Sequence, residues 1–482
     1  MTDHTETHYP EANLMTLQKT RSTVFRLAPL ALALLVSACA VGPDYKRPDV
    51  AMPTAFKEAK GWTAAIPKDN QAKGEWWSVY QDPELSSLLT QVQISNQNVA
   101  QYAAQYRQAQ ALVTQARSDL YPSVDASVGS TRSGTSTSTT NKQTAELSAS
   151  WELDLWGKLR RTAEEQDASA QASKADLADA TLSAQSELAQ DYFQLRVMDQ
   201  QIALYKQSID SYQRYLTVIQ NQYEGGNTSR ATLAQAQTQL ESTKASALDL
   251  QWQRAQLEHA IAVLIGKPPA QFSLAARDVK LNLPPMPDAI PSQLLQRRPD
   301  IAAAERTMAS SNAAVGVATA AYYPDLTLSA SGGFASSAFH NLFSLPNRVW
   351  SLGPELSQTV LDFGSTRGKV AQAEAAYDAD VASYRQSVLT AMQEVEDYLV
   401  ELHTLDSELV ARQNAADSAK ESARVTYNQY QAGMIDYLDV ATTENTSLTQ
   451  QQSVLSLLST QMVTSVKLIA ALGGGWNGDV GK

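Results

Sequence analysis

The amino-acid sequence predicts an α+β membrane protein made of two copies of one unit, each with long helices and one strand hairpin. Three observations lead to this fold class. Short sequences recur at a constant offset along the chain. Segments of about ten residues alternate between apolar and polar side chains, as the strands of a membrane sheet do. An apolar leader at the N-terminus ends at the one cysteine of the 482-residue chain.

The internal repeat has the same offset at widely separated places. Asn221 and Asn428 are each followed by Gln-Tyr and lie 207 residues apart (428 − 221). Gly157 and Gly364 each follow an aromatic residue and are also 207 apart (364 − 157). Each half of the chain is therefore one structural unit that is incomplete by itself.

The two copies differ in length only in their strand hairpins. Two Tyr-Pro pairs, beginning at Tyr121 and Tyr323, are 202 apart (323 − 121), five fewer than the offset of the glycines. We expect outer loops to absorb such a difference, because loops tolerate insertions. The helical segments that follow are equally long, 64 residues (221 − 157 and 428 − 364). As continuous helices they would each reach ~96 Å.

Each copy is predicted to contain a short helix, two strands, a long helix, a turn and another helix. Residues 84–120 are rich in Ala and Gln and predict one helix. A strand near residues 124–128 and another near 146–155 flank a polar loop at 130–141. In the second copy a strand begins near residue 326, and a noisier one is expected over 350–363, interrupted by Pro354.

Alternation of this kind is also typical of a soluble sheet with one wet face. We favour a membrane sheet because a long helical chain with only four strands cannot form a sandwich. Four strands leave two free edges, which lipid does not tolerate, so several copies must close a barrel. Three copies give twelve strands, whereas two give eight, whose lumen is filled by side chains. The carboxylates predicted to face the lumen are Asp125, Glu146, Glu152 and Asp154.

The N-terminal leader indicates export. Lys19, Arg21 and Arg26 precede an apolar run at residues 27–36, which is short of the ~20 residues that cross a bilayer. Cys39 follows Val-Ser-Ala and resembles the lipobox of bacterial lipoproteins, in which the cysteine is acylated. By the same resemblance, Ala40 favours sorting to the outer membrane. The alternative is an ordinary signal whose cut lies near a cysteine.

Composition and motifs exclude several classes of protein. The formal net charge of −12 argues against nucleic acid as a partner. No segment after the leader approaches an apolar spanning helix, so a membrane crossing must be made by strands. The five histidines are scattered, and no phosphate-binding Gly-Lys-Ser/Thr loop occurs. We therefore expect no enzyme activity, no metal, and no cofactor apart from a covalent lipid on Cys39.

Five motifs, taken together in order, resemble those of the TolC-like outer-membrane factors (outer membrane efflux proteins), specifically the NodT-type lipoproteins of RND-type tripartite efflux systems. The motifs are Cys39-Ala40-Val41-Gly42-Pro43-Asp44-Tyr45 with Pro48, Trp76-Trp77, Gly266-Lys267-Pro268-Pro269, Arg298-Pro299-Asp300-Ile301 with Ala304-Glu305, and Leu472-Gly473-Gly474-Gly475-Trp476. The resemblance covers essentially the whole mature chain. It implies a homotrimer with a twelve-stranded outer-membrane β-barrel, four strands per chain, continued by a long periplasmic α-helical barrel.

The resemblance also implies a function and a domain division. The function is a passive gated duct that exports small molecules together with a periplasmic adaptor protein and an inner-membrane transporter, expected to be of the RND type. The division is residues 1–38 signal peptide, 39–83 N-terminal and equatorial segment, 84–266 first repeat, 267–291 equatorial linker, 292–473 second repeat and 474–482 tail.

Further sites are implied at the periplasmic end of the helices. The turns with Gly225, Gly226 and Gly433 would form the tips that contact the adaptor, because glycine permits a left-handed helix cap. Beyond the second tip, Leu438 and Asp439 look like gate residues. A ring of carboxylates in a narrow pore concentrates cations.

The gate assignment has open points. Thr442 stands where many relatives carry aspartate, so the acidic ring would be thinner. Arg230 and Asp436 are expected to take part in neighbouring contacts that hold the helices closed. Asp439 is equally well read as an ordinary solvated helix residue.

Three rival functions remain on the sequence alone. A lipid-anchored periplasmic adaptor would also have long helical hairpins, but it should contain a compact lipoyl-like β domain, which we do not find. A structural coiled-coil envelope lipoprotein would leave the strand hairpins unexplained. A duct for type I protein secretion differs only in its cargo.

Overall fold

The computed structural model describes residues 40–48, 57, 75–277, 283–284 and 298–475. Cys39 and the signal segment lie outside the described residues, as do about half of the predicted linker and most of the tail. The first repeat contains α1 (Pro83–Ser95), α2 (Gln97–Ser118), β1 (Ser123–Gly134), β2 (Thr139–Leu153), α3 (Lys158–Glu224) and α4 (Arg230–Leu264). The second contains α5 (Pro299–Ala320), β3 (Asp325–Ser336), β4 (Arg348–Ser357), α6 (Ser365–Gln431) and α7 (Tyr437–Ala471).

The lengths of the elements confirm the internal repeat. α2 and α5 have 22 residues each, α3 and α6 have 67 each, and α4 and α7 have 35 each. From the first strand to the long helix the chain advances 35 residues in one repeat (158 − 123) and 40 in the other (365 − 325). The five-residue difference therefore lies in the hairpins, as expected.

The helix predicted over residues 84–120 is two helices, and Asn96 separates them. The Asn96 side chain accepts a hydrogen bond from the Val99 backbone N–H (3.0 Å) and so caps α2. Its amide also donates to the Leu264 carbonyl at 2.8 Å. The break follows from a contact 168 residues away along the chain, which local sequence does not reveal.

The sheet is a single antiparallel sheet in the order β1-β2-β3-β4. Two strand bounds correct the sequence prediction. The expected polar loop at 130–141 is mostly paired strand, and only residues 135–138 connect β1 to β2. The fourth strand begins at Arg348 and ends at Ser357, earlier than predicted. It is an edge strand of this sheet, and edge strands are where sheets tolerate a proline such as Pro354.

The chain divides into two compact units. The unit that contains the sheet consists of residues 1–47, 109–169 and 307–380, and the other consists of residues 48–108, 170–306 and 381–482. Each unit draws on both repeats. The predicted boundaries at 84–266 and 292–473 are therefore divisions of the sequence, and they stay a prediction.

The second unit has a continuous apolar core beside a buried ion-pair cluster. Trp76 and Trp77 pack edge to face with ring centroids 5.8 Å apart, within a cluster that includes Leu85 and Phe193. Arg196 is fully buried and contacts two carboxylates, one of them the Glu84 carboxylate at 2.5 Å. Edge-to-face aromatic pairs such as Trp76 and Trp77 stabilise a fold by more than the burial of their area alone.

One described helix, α7, is long and apolar enough to pass a length-and-composition test for a membrane span. The expectation that no segment after the leader approaches an apolar spanning helix was therefore wrong, because the length and composition of α7 meet that description. Core helices of soluble proteins pass the same test. In α7, Met462 and Val466 pack in the core, and the Ser465 hydroxyl lies 2.8 Å from the Tyr80 hydroxyl. Its apolar stripe is thus a packing surface.

Candidate functional site

The turns at the ends of the long helices are built alike in both repeats. Gly226 and Gly433 both have φ of +74°, the left-handed conformation. The Asn227 N–H donates to the Gln222 carbonyl at 2.7 Å, and the Met434 N–H donates to the Gln429 carbonyl at 3.0 Å. Each of these hydrogen bonds closes a turn of six residues. Together with a bond from the glycine N–H that closes a shorter turn, it forms a Schellman cap at each helix end. Two of the three predicted tip glycines are thus required by the backbone.

Alanine substitutions at the tips should lower the stability of the chain at Gly226 and Gly433 but not at their neighbour Gly225. Gly226→Ala and Gly433→Ala are each expected to destabilise the helix reversal by about 1–2 kcal/mol, because alanine is strained at positive φ. Gly225→Ala should be nearly neutral, since Gly225 has no positive φ and its Cβ would meet no atom closer than 3.3 Å. Denaturant unfolding followed by circular dichroism measures the difference. An equal loss in all three variants would contradict the assignment.

The predicted gate residues share the exposed side of the first turns of α7. Leu438 is 55% exposed, and Asp439 and Thr442 are also exposed. The Thr442 hydroxyl donates to the Leu438 carbonyl at 2.8 Å, so this hydroxyl is satisfied within the helix. Leu438 and Asp439 therefore present an apolar side chain and a carboxylate to the surroundings.

Only the second repeat has a carboxylate at this position. At the repeat offset of 207, Asp439 corresponds to Thr232 (439 − 207), and Leu438 corresponds to Ala231 (438 − 207). A trimer would thus carry three such carboxylates and not six.

Arg230 and Asp436 occupy the starts of α4 and α7, and both are exposed. Neither forms an ion pair with another residue in the described part of the chain. Asp436 is the N-cap residue of α7 but its side chain accepts no capping bond, whereas Ser229 caps α4 through a bond from the Thr232 N–H at 3.1 Å. The Asp436 carboxylate is therefore available to another donor.

A tyrosine cluster below the tips was not foreseen from the sequence. The Tyr215 hydroxyl donates to the Glu444 carboxylate at 2.8 Å, which joins α3 to α7. The Tyr430 hydroxyl donates to the Gln222 side-chain carbonyl at 3.0 Å, which joins α6 to α3. Burial raises the pKa of Tyr437 to about 12. The only local signal was the frequency of tyrosine near the repeated Asn-Gln-Tyr.

The sheet has one polar face and one apolar face. Asp125 is paired with Ser148, which places it on the same face as Glu146 and Glu152. Glu355, which pairs with Thr327 beside Glu152, adds a carboxylate to the same row of that face. The alternation predicted the first three carboxylates, whereas Glu355 was missed because the sequence around β4 is irregular.

Asp154 does not continue this acidic row. It lies one residue beyond the end of β2. Its carboxylate accepts hydrogen bonds from the Leu159 N–H (3.0 Å), the Arg160 N–H (3.0 Å) and the Arg160 side chain (2.9 Å). Asp154 therefore caps the start of α3, and the alternation argument does not reach it.

The apolar face of the sheet carries many large side chains that are exposed. Its large exposed side chains are Val124, Val128, Leu147, Trp151, Trp350, Leu352 and Leu356. Trp350 is 74% exposed, and nothing in the described chain covers it. An exposed apolar area of this kind marks an interaction surface. Within the part of the chain that the structure describes, no strand pairs with the outer edge of β1 or of β4.

The segment that follows Cys39 is held against the start of α3. The Val41 N–H donates to the Trp156 carbonyl at 2.8 Å. The buried Arg161 side chain donates to the Asp44 carboxylate at 2.7 Å and also reaches the Gly42 carbonyl. The chain next to Cys39 is thereby fixed beside the junction of sheet and helix.

No group of three or more possible metal ligands occurs among the residues that the structure describes.

Arg298 and Asp300 form an ion pair at 2.8 Å where α5 begins, and Arg298 also contacts the Glu394 carboxylate at 2.6 Å. These charges anchor a helix start.

Comparison with known proteins agrees with this architecture. The family model of the outer membrane efflux protein matches residues 88–267 and 290–474, more than half of the chain. The cation efflux system protein CusC of Escherichia coli is 27% identical over 94% of this chain and 99% of its own length. The pyoverdine export outer membrane protein OpmQ of Pseudomonas aeruginosa is 30% identical over 94% of this chain and 97% of its own length.

A solved structure has the same fold. The outer-membrane channel OprN superimposes with a TM-score of 0.84 at 29% identity, over 91% of this chain and all of that one. The predicted mixture of long helices and a small membrane sheet is confirmed, and so is its placement in the outer membrane. This chain belongs to the outer membrane efflux protein family, as an outer-membrane channel subunit of an efflux system.

Proposed function

We propose that the chain forms a homotrimeric, gated, passive duct of a tripartite efflux pump. The observation that carries the proposal is the four-stranded sheet with one bare apolar face and two unpaired edges. In lipid, each free edge must be paired, and a closed ring of copies is the arrangement that pairs both. Three copies give twelve strands and a lumen lined by the carboxylate face, whereas two copies leave no open lumen.

The proposed partners follow from the absence of a phosphate-binding loop in the sequence and from the exposed turns at the tips of the helices. The sequence has no phosphate-binding loop, so energy comes from an inner-membrane transporter, for which we propose the RND type. A periplasmic adaptor contacts the two tips at Gly225, Gly226 and Gly433.

Cys39 carries the covalent lipid in this proposal. The contacts of Val41 and Arg161 support it, because they hold the next residues where sheet and helix meet. That junction is the inner boundary of the membrane sheet. The duct needs no other cofactor and catalyses no reaction.

The cargo is proposed only as small molecules. Similar proteins are named for cation efflux and for pyoverdine export, two unlike cargos. A wide duct without a specific pocket is consistent with this variety.

Planar-bilayer conductance of the purified full chain, combined with heat-sensitive migration on a gel, tests the proposal. We expect a heat-dissociable trimer and discrete conductance steps. A monomer that never conducts, even with the tips altered, would instead support a structural envelope lipoprotein. Export of a folded or unfolded polypeptide by cells with the chain would support the protein secretion duct.

Asp439→Ala tests the gate. We expect higher conductance and about tenfold weaker block by added Mg²⁺, because the ring of carboxylates that concentrates cations is removed. Leu438→Ala should raise conductance without changing the block. Glu224→Ala, which removes an exposed carboxylate near the first tip, is the matched control and should leave both quantities unchanged. An Asp439→Ala channel identical to the wild type would leave Asp439 as a solvated helix residue.

A further inference from the structure

The two hairpin loops of the sheet differ in chemistry. Residues 135–138 form a four-residue polar turn between β1 and β2. Residues 337–347 form the longer loop between β3 and β4, and three large apolar side chains of this loop are exposed. Phe339 is 69% exposed, Phe343 68% and Leu345 81%. Both loops lie at the end of the sheet opposite to the strand ends that continue into α2, α3, α5 and α6.

The apolar loop is an ordered structure. The Asn347 side chain donates to the Asn341 carbonyl at 2.8 Å and to the Ser344 hydroxyl at 3.0 Å. The Ser336 hydroxyl donates to the Asn341 side-chain carbonyl at 2.6 Å. Leu342 is buried within the loop. The polar groups thus satisfy one another inside the loop, while the large apolar side chains point away from it.

The loop continues the apolar face of the sheet. The rings of Phe343 and Phe334 meet edge to face with centroids 5.6 Å apart. Phe334 pairs with Ala145 of β2 in the row next to Leu147, and Trp350 follows two residues after Arg348 on the same side of β4. We call Phe334, Phe339, Phe343, Leu345 and Trp350 the outer collar. Through the contact between Phe343 and Phe334, the exposed apolar side chains of the loop are continuous with the apolar face of the sheet.

Two arginines lie on the apolar face of the sheet, toward the end that carries the hairpin loops. Arg348 pairs with Phe334, so it projects on the apolar face. Arg132 lies four residues after Val128 in β1 and therefore on the same face, by the two-residue alternation. Neither arginine forms an ion pair with any residue that the structure describes. Cations beside apolar side chains at a membrane surface suit anionic headgroups.

We propose that the outer collar binds lipid of the outer leaflet, with acyl chains against its apolar side chains and a lipid phosphate against Arg132 and Arg348. The argument is continuity: the collar joins the apolar face, which the proposed function places against the lipid of the outer membrane. An apolar loop is therefore held in the lipid interface, and the polar loop at 135–138 remains in water. The proposal does not depend on the gate or on the number of copies.

Spin labels test where the loop lies. Single cysteines replace Leu345, Thr137 in the polar turn, and Val124 on the apolar face, in the full chain reconstituted in phosphatidylethanolamine–phosphatidylglycerol vesicles. A label at 345 should be accessible to oxygen and shielded from a water-soluble nickel chelate, as at 124. Access to the chelate like that at 137 would overturn the proposal by placing the loop in water. Shielding from both reagents would overturn it in favour of a neighbouring copy. The unmutated chain, whose Cys39 carries the lipid in the proposed function, is the control for label attached at any other place.

Lipid retention tests the arginines. Detergent-solubilised protein is mixed with equal amounts of phosphatidylglycerol and phosphatidylcholine, passed through gel filtration, and its bound lipid is analysed. We expect a preference for phosphatidylglycerol that falls by about fivefold for each of Arg132→Gln and Arg348→Gln. Lys142→Gln removes a cation from the opposite, polar face and should keep the preference. A preference unchanged in the double arginine variant would overturn the phosphate contact.

Discussion

Arg196→Met is expected to lower the free energy of unfolding of the chain by about 3–5 kcal/mol, the usual cost of breaking a buried ion pair. Arg196 has no exposed surface, and it contacts the Glu84 carboxylate at 2.5 Å and the Asp199 carboxylate at 2.9 Å. It also donates to the Ala275 carbonyl at 2.8 Å. Methionine keeps much of the volume of the stem, so the loss measures the charge and its hydrogen bonds.

The loss is large because Asp199 stays buried and Glu84 stays partly buried. Among the described residues, the cationic partner that Asp199 keeps is Arg254, at 2.5 Å. The cationic partner that Glu84 keeps is Arg277 at 3.3 Å, and the Arg277 side chain is more than half exposed. A carboxylate left with fewer donors in an apolar environment retains its desolvation cost.

A surface ion pair provides the matched control. Arg412 pairs with Glu408 at 3.2 Å on α6, and both side chains are at least 40% exposed. Arg412→Met should change the unfolding free energy by less than about 0.5 kcal/mol. Denaturant unfolding of both variants, followed by circular dichroism, compares them directly. If Arg196→Met is no more destabilising than Arg412→Met, the buried cluster contributes only specificity and not stability.

The repeat and the two faces of the sheet were predictable because both depend on local periodicity. The equal 67-residue helices follow from two glycines and two Asn-Gln-Tyr sequences at one offset. The carboxylates of β1 and β2 follow from a period of two. Patterns of this kind are expressed in the order of residues, so one sequence is sufficient to reveal them.

The features that the sequence did not predict either depend on tertiary contacts or lie in strand segments whose side chains are polar on both faces. The break at Asn96 requires the Leu264 carbonyl beside it. The outer halves of β1 and β2 are polar on both faces, so their residues 130–134 and 139–141 carry no alternation and looked like a loop. The bond from Tyr215 to Glu444 joins residues 229 apart, and no repeat offset predicts it.

Leu147→Arg is expected to prevent most of the chain from assembling in the membrane. Leu147 lies on the apolar face, where it pairs with Ala126 and Gly332 and is 59% exposed. A charged side chain on the lipid face of a barrel costs about 2–4 kcal/mol near the bilayer midplane. Each copy of a trimer would carry this cost. The measurement is the fraction of protein that folds into vesicles and migrates as a heat-sensitive oligomer.

Ser148→Arg is the control that shows whether the effect of an arginine depends on the face of the sheet that carries it. Ser148 is the next residue, projects on the polar face, and pairs with Asp125. An arginine at 148 faces water in the lumen and lies opposite a carboxylate, an arrangement that stabilises a strand pair by about 0.2–1 kcal/mol. Folding should therefore be preserved, while the cation preference of the open duct should fall. Because two adjacent residues receive the same side chain, the introduced residue is equal in size, charge and strand propensity, and the two variants differ in the face that it occupies. The reverse outcome, with Leu147→Arg folded and Ser148→Arg excluded, would mean that the carboxylate face meets the lipid, and a duct with an acidic lumen would then be impossible.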